Sequence, residues 1–327
     1  MKYLRIIILF LILCNVPSYA LVALGSTYGS IISYSTFILI ILYFFLNRKD
    51  LPYLPFIIIG YFYFIISILI NSDYTQNVVM VMLKYFTFFT LGFSFIRDTE
   101  KKEIFFLLLI GALSTISQAI FNKNGMDRFA GVYLNPNGAG FASIIGFCIS
   151  LSMKEKKIRL LGQFLFSISG LLTFSRTFLL VLIIVFIISI GSNFKNIFRN
   201  IFEIGVAIFL FSVFLTLGDK LNFNVKRADA FSSLLEGKVS EDLEKDSRTE
   251  AWASYYDNIL GNPLGNGYLS LSGKTHGVGD GAISIQGVHN TFLMILGEAG
   301  IFVFLIFSFV YGDILLKSLK VFKRNHL

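Results

Sequence analysis

The stretch IFFLLLIGALSTISQAIF, residues 104–121, decides the fold class of this chain. It contains no charged side chain, and a helix needs about 20 predominantly apolar residues to cross the hydrocarbon core of a bilayer. Apolar runs of this kind recur along the whole chain. The stretch therefore predicts a membrane-spanning helix, because a segment in lipid has to satisfy its own backbone hydrogen bonds.

Ten such spans are predicted from the positions of the apolar runs. They are residues 4–24, 29–46, 53–71, 78–96, 104–121, 138–153, 159–173, 177–191, 201–217 and 291–315. The runs are uniformly apolar, whereas the strands of a membrane β-barrel would alternate apolar and polar residues. We therefore expect an all-α polytopic membrane protein of about ten transmembrane helices, with residues 1–327 forming a single polytopic domain.

The composition excludes several other classes of protein. The chain is 55% hydrophobic and only 15% charged, which rules out a soluble cytoplasmic enzyme and a disordered chain. Cys14 and Cys148 both lie inside apolar runs. Two such thiols predict neither a disulfide scaffold nor a metal site.

The net charge of +8 is explained by where the basic residues lie. With the N-terminus placed inside, 17 of the 28 basic residues fall in predicted cytoplasmic loops and tails. They are Lys2, Arg5, Arg48, Lys49, Arg97, Lys101, Lys102, Lys154, Lys156, Lys157, Arg159, Lys195, Arg199, Lys317, Lys320, Lys323 and Arg324. The short outer loops hold three, Lys123, Arg128 and Arg176. The positive-inside rule thus predicts that both termini are cytoplasmic.

The first predicted span has two interpretations. Its basic start, apolar stretch and the small residues around Ser18-Tyr19-Ala20 are typical of a cleavable signal sequence. The apolar residues continue through Leu24, however, which favours retention as a span. Either outcome leaves the topology downstream unchanged.

Residues 218–290 form a large polar loop on the predicted outer face. It carries ten acidic and seven basic residues, a net charge of −3, which leaves +11 for the rest of the chain. A net acidic outer loop excludes nucleic acid as a partner. Residues 247–260 are predicted to be helical, since Ser247 and Glu250 have capping-box spacing. The Gly- and Ser-rich segment 265–287 is predicted to be mobile.

Two short outer features could carry chemistry near the middle of the chain. The first is DRFAGVYLNPNGAG at 127–140, in which Arg128 precedes a turn and a predicted helix start at Asn135-Pro136-Asn137-Gly138. The alternative is a capped turn with a surface arginine. The second is Ser175-Arg176, where an arginine at a membrane boundary has to snorkel, pair or bind a ligand. We favour ligand binding, with snorkelling to lipid phosphate as the alternative.

Two more features belong to the large loop. Arg248 and Trp252 are four residues apart and so share one face of the predicted helix; the alternative is a solvated arginine packed on a ring. His289-Asn290 stands where the last span begins. A neutral imidazole can act as a general base near neutral pH, and the alternative is a histidine that caps the helix.

The order of these features resembles the O-antigen ligase and Wzy-type polysaccharide polymerase family. The resemblance rests on NPNG at 135–138, Ser175-Arg176, Arg248 with Trp252, GNPLGNG at 261–267, and His289-Asn290 with Glu298-Ala299-Gly300. It extends over about residues 125–312. A GVG that is more usual in the family stands here as Gly265-Asn266-Gly267, which leaves the role of that turn open.

The resemblance implies a glycosyltransferase of GT-C type whose donor is a glycan on undecaprenyl pyrophosphate. Arg176 and Arg248 would bind the pyrophosphate, and His289 would activate the acceptor hydroxyl. The residues that we expect to contact substrate are Arg128, Asn135, Asn137, Trp252 and Asn290. No cofactor is expected. No metal is expected either, since the outer loop lacks Asp-x-Asp and no metal-ligand spacing occurs.

The resemblance also implies the setting of the protein. We expect a multi-pass protein of the bacterial cytoplasmic membrane, with the lipid-linked donor, a glycan acceptor and the bilayer as partners. A chain-length regulator and a flippase are further expected partners.

Three functions remain open. We favour a polymerase that joins lipid-linked repeat units. A ligase that moves the finished glycan to lipid A–core differs only in its acceptor. A transporter or lipid flippase belongs to a different class and should carry polar groups within its spans. Lys84 is the clearest such group here.

Overall fold

The computed structural model describes most of the apolar segments and parts of the outer loop. The described residues are 1–47, 53–70, 75–121, 128–192, 205, 255–256, 259–270, 273–276, 283–286 and 290–326. The chain divides into two compact units, residues 1–47 with 95–240 and residues 48–94 with 241–327. The single polytopic domain and the loop bounds 218–290 stay predictions.

The described elements are almost entirely helical. The helices are α1 Lys2–Leu13, α2 Val16–Leu24, α3 Ser26–Leu46, α4 Leu54–Ile70, α5 Thr75–Phe86, α6 Gly92–Arg97, α7 Lys101–Phe121, α8 Pro136–Leu151, α9 Lys156–Leu172, α10 Arg176–Ser192 and α11 Thr291–His326. A π-helical turn at Thr87–Leu91 joins α5 to α6, and a 3-10 turn at Gly131–Tyr133 precedes α8. The prediction of a helical fold is thus confirmed for the apolar segments.

Several helices are long and apolar enough to cross a membrane, as a multi-pass membrane protein requires. Four qualify among the described residues, Ser26–Leu46, Val78–Arg97, Lys101–Phe121 and Thr291–Lys320. The pair α1 and α2 would make a fifth, and α4, α8 and the start of α10 are shorter apolar helices. The predicted span 201–217 lies outside the described residues apart from Gly205. Ten spans therefore remain a prediction.

The first predicted span is two helices rather than one straight one. The axes of α1 and α2 differ by 59° at Asn15, whose φ of 50° is left-handed. Asn15 donates from its amide to the carbonyl of Tyr133 at 3.2 Å, and Pro17 stands in the first turn of α2. Proline lacks the N–H that would continue α1, so the chain bends here and restarts as a new helix.

The core of the first unit is built from phenylalanines set against glycines. Phe105, Phe147, Phe166 and Phe178 are buried where α7, α8, α9 and α10 meet. A methyl group added at Gly146, Gly162 or Gly170 would overlap the ring of one of these phenylalanines. Helices in lipid associate through close packing of small residues, because apolar burial alone gives no preference over lipid tails.

The second unit packs α4 along α11. Ile59 of α4 is buried with Ile295, Ala299 and Val303 of α11. The ring of Tyr85 in α5 covers Gly60, and its hydroxyl donates to the carbonyl of Phe56 at 2.8 Å. These contacts hold α5 against α4, and they hold α4 against the part of α11 that follows the outer loop.

Part of the outer loop has regular structure where mobility is predicted. Strands β1, Gly273–His276, and β2, Ile283–Gln286, pair antiparallel with Gly273 opposite Gln286 and His276 opposite Ile283. Regular structure was not predicted for these residues, and the mobility of the segment 265–287 stays a prediction. The β-branched Thr275, Ile283 and Ile285 supply strand propensity that the Gly-rich composition of the whole segment hides.

Candidate active site

Arg128 joins two of the predicted features within the first unit. Its Nε donates to the carbonyl of Thr173 at 2.9 Å, and its Nη2 donates to the Asn137 side-chain oxygen at 2.7 Å. The backbone N–H of Phe129 also donates to the carbonyl of Leu172 at 3.3 Å. Residues 128–140 and 172–177 thus form one structure, which we call the arginine cluster.

The helix start at 135–138 agrees with the sequence prediction. Asn135 caps α8, since its side-chain oxygen accepts from the N–H of Asn137 at 2.9 Å. Pro136 follows at the first helical position, where its missing N–H is not needed. Leu134 has a φ of 60°, which turns the chain into the cap. The side chains of Asn135 and Asn137 are both exposed.

Arg176 is the first residue of α10, and the turn before it is firmly held. Ser175 is 1% exposed, and its hydroxyl accepts from the N–H of Phe178 at 3.4 Å. The hydroxyl of Thr173 accepts from the N–H of Ser175 at 3.2 Å. The Arg176 side chain itself is exposed and has no hydrogen-bond or ion-pair partner among the residues that the structure describes.

The two helix starts of the arginine cluster are in direct contact. A Cβ at Gly140 would stand 2.8 Å from the Cβ of Ser175 and 3.0 Å from the Thr173 hydroxyl. Only a glycine lets α8 approach the turn before α10 this closely. The cluster therefore combines two guanidiniums with two neighbouring helix N-termini, each of which carries partial positive charge. Such a surface is suited to bind an anion.

The histidine feature of the second unit is described only in part. Asn290 caps α11, because its side-chain oxygen accepts from the N–H groups of Phe292 at 3.0 Å and Leu293 at 3.3 Å. Asn290 therefore caps the helix, a role that the alternative interpretation of the sequence gave to His289. His289 lies outside the described residues, as do Arg248 and Trp252.

The turn Gly265-Asn266-Gly267 has a clear structural role in the second unit. Helix α11 is broken at Gly300, which has a φ of 81° and a ψ of 179°. The carbonyls of Gly297 and Glu298 accept from the N–H groups of Asn266 at 2.8 Å and Gly267 at 2.9 Å. In return the N–H of Ile301 donates to the carbonyl of Pro263 at 2.9 Å. The turn and the residues before it thus supply partners for the backbone groups of α11 that lose their helical partners at the break.

Glu298 is a buried carboxylate of this arrangement, and the sequence placed it in the family resemblance without assigning it a role. The residue is 3% exposed. Its Oε1 accepts from the N–H of Leu269 at 3.1 Å, and its Oε2 accepts from the hydroxyl of Tyr63. Burial, with the nearby Glu298 carboxylate as a lesser cause, raises the pKa of the Tyr268 phenol. The signal that could have indicated a role for this position is an acidic residue inside a predicted apolar span.

Alanine in place of Gly300 is expected to destabilise the second unit strongly. The added Cβ would overlap the carbonyl of Leu264, and an L-residue at this φ and ψ, a region that essentially only glycine occupies, costs about 1–3 kcal/mol before any clash is counted. We expect the apparent unfolding temperature in detergent to fall. Gly312→Ala is the matched control on the same helix, since no atom lies within 4 Å of its added Cβ. Equal unfolding temperatures for both variants would contradict the described break.

The acidic residues, histidines and cysteines of the described chain are dispersed. Within that part of the chain no group of three or more could hold a metal ion.

Comparison with known families identifies a match in the second half of the chain. Residues 161–308 match the family model Wzy_C, O-antigen ligase. The matched segment runs from α9 into α11 and includes Arg176, Arg248, His289 and Glu298, whereas Arg128 precedes it. The predicted resemblance to this family is therefore confirmed. No curated protein and no solved structure gave a match.

Proposed function

We propose that this chain, an O-antigen ligase family protein by its residues 161–308, is a polymerase of lipid-linked glycans. It would join undecaprenyl-pyrophosphate-linked repeat units into O-antigen, capsule or exopolysaccharide at the outer face of the bacterial cytoplasmic membrane. The observation that carries the proposal is the arginine cluster. Its second half lies in the matched segment and presents the Arg176 guanidinium beside two helix starts.

Binding of the donor pyrophosphate is the proposed role of Arg176 and Arg248. A guanidinium stays charged at any working pH and binds two phosphate oxygens with a fixed planar fork. The exposed Arg176 side chain forms no ion pair with the described residues, so it is available to a ligand. As the pyrophosphate departs, charge develops on its oxygens, and donors already in place stabilise that charge more than water does.

Activation of the acceptor is the proposed role of His289. A sugar hydroxyl is a poor nucleophile until a base takes its proton. The acceptor oxygen would attack the anomeric carbon of the donor, and its proton would pass to the imidazole. The bond from that carbon to the pyrophosphate would break, which releases undecaprenyl pyrophosphate. Because Asn290 caps α11, His289 is not needed for the cap.

Five more residues are proposed to contact the substrate. They are Arg128, Asn135, Asn137, Trp252 and Asn290. The contacts of Arg128 with Thr173 and Asn137 give it a second role, which is to hold the arginine cluster in shape. The exposed amides of Asn135 and Asn137 can offer donors to sugar hydroxyls, while their oxygens serve the turn.

A ligase is the second candidate, and the description of the matching family favours it. Deletion of the gene separates the two. Core glycan with a single repeat unit would mean a polymerase, whereas full-length chains left on the carrier lipid would mean a ligase. We propose a GT-C architecture of ten spans with cytoplasmic termini for either one, and a chain-length regulator and a flippase as partners.

Purified protein tests the remaining alternatives directly. Lengthening of lipid-linked units in detergent is expected, and it is expected to persist with excess EDTA because we propose a metal-independent reaction. Movement of lipid-linked units across a proteoliposome membrane without lengthening would instead indicate a transporter or flippase.

A further inference from the structure

We infer that Glu298 is a positioning residue for the proposed reaction. It holds residues 259–270 against the part of α11 before its break and thereby fixes the start of that helix, which directly follows His289 in the sequence. This inference rests on the proposed function, in which His289 is the base. Nothing in the proposed chemistry requires Glu298 itself to touch the substrate.

The surroundings of Glu298 indicate that it has a specific use. A carboxylate in an apolar segment is costly unless its oxygens are satisfied. Within the described residues Glu298 has no basic partner, and its two oxygens instead accept from the Leu269 N–H and the Tyr63 hydroxyl. One side chain therefore ties together α4, the segment after the Gly-Asn-Gly turn, and the last turn of α11 before its break.

The tied segment lies along the turns of α11 that follow the Asn290 cap. At its near end Ile259 packs against Leu293 and Leu296. At its far end the backbone of Asn266 and Gly267 bonds to the carbonyls at 297 and 298. The segment thus contacts α11 over the stretch between the cap and the break. If the Glu298 hydrogen bonds were lost, residues 259–270 would separate from α11, and the face of α11 that they cover would become exposed.

The geometry ranks the possible substitutions of Glu298. Glutamine has the same length, so its carbonyl can accept from Leu269 while its NH₂ donates to a rotated Tyr63 hydroxyl. Aspartate keeps the charge but is one methylene shorter, so it cannot reach both partners at hydrogen-bond distance. Alanine offers neither bond. A positioning role therefore predicts glutamine above aspartate, with alanine lowest, whereas a role for the charge predicts aspartate above glutamine.

Kinetics with purified protein and a lipid-linked repeat unit test this ranking. For Glu298→Ala we expect kcat to fall about 100-fold, because a displacement of about 1 Å at a reacting group costs that much. The KM for the donor is expected to stay within about twofold of wild type, and Glu298→Gln is expected to restore most of kcat. Asp313→Asn is the matched control. Asp313 also lies on α11 and accepts from a tyrosine, Tyr53, at 3.4 Å, but it pairs with Lys317 and has no hydrogen bond to the described residues 259–270.

A second measurement tests the contact without reference to activity. In a chain with Cys14 and Cys148 replaced by alanine, an Ile259→Cys substitution places a thiol on the buried face of the segment. We expect a membrane-impermeant maleimide to label it at least about tenfold faster in the Glu298→Ala background than in the Glu298→Gln background.

The outcomes are separable. Slow labelling in every background, or aspartate surpassing glutamine in kcat, would overturn the positioning role. If His289→Ala stayed active while labelling still depended on Glu298, the proposed base would fail but the contact would stand. Faster labelling with unchanged kcat would reduce Glu298 to a structural residue.

Discussion

Replacement of His289 by alanine is expected to abolish chain lengthening without lowering the amount of protein in the membrane. The imidazole is the proposed acceptor of the sugar hydroxyl proton, and no neighbouring group in the sequence can replace it near neutral pH. Asn290 caps α11 by itself, so the helix start should survive the substitution. The measurement is the length distribution of the surface glycan, alongside an immunoblot of the membrane fraction.

His276→Ala and His326→Ala are matched histidine controls for this experiment. His276 lies on β1 and His326 at the end of α11, and neither has a proposed role. Both variants are expected to make glycan of normal length. Normal length in His289→Ala as well would end the assignment of His289 as base, and the match of residues 161–308 to the family model would not be affected.

Conversion of Arg176 or Arg248 to lysine is expected to lower kcat about 100-fold in each case. Lysine preserves the positive charge but cannot reproduce the planar, bidentate fork of a guanidinium on pyrophosphate oxygens. Loss of one preorganised donor to a developing anion typically costs a factor of this size. The measurement is the turnover of a lipid-linked repeat unit by purified variants in detergent.

Arg199→Lys is the matched control for both arginine variants. Arg199 stands in a predicted cytoplasmic loop, where only the positive charge is expected to matter. Its activity should therefore equal that of the unchanged protein. If Arg176→Lys and Arg248→Lys were as active as the unchanged protein, those arginines would be structural or snorkelling groups.

Local features of the site could be predicted, but their partners could not. The turn at Asn135–Gly138 and its helix start follow from residues within one turn of each other. The bond from Arg128 to Thr173 joins residues 45 positions apart, and that from Tyr63 to Glu298 joins residues 235 positions apart. No spacing rule connects such pairs, because their proximity depends on how the helices pack.

The role of the Gly-Asn-Gly turn could not be predicted from the sequence either. As a sequence it is a departure from a more usual family motif, with no assignable role. In the structure its N–H groups complete the hydrogen bonding of a helix that breaks 33 residues later in the chain, at Gly300. A broken helix in an apolar segment is stable only when other groups take up its free carbonyls. The turn and the break therefore depend on each other.

What the sequence alone determined is the class of protein and its resemblance to a known family. Apolar runs specify membrane helices because lipid offers no hydrogen-bond partners, and motif order was enough to indicate the O-antigen ligase family that residues 161–308 match. Only the tertiary structure decided that Arg128 braces the arginine cluster and that Glu298 ties three segments together. Those roles rest on contacts between distant parts of the chain, and such contacts form only when the helices pack.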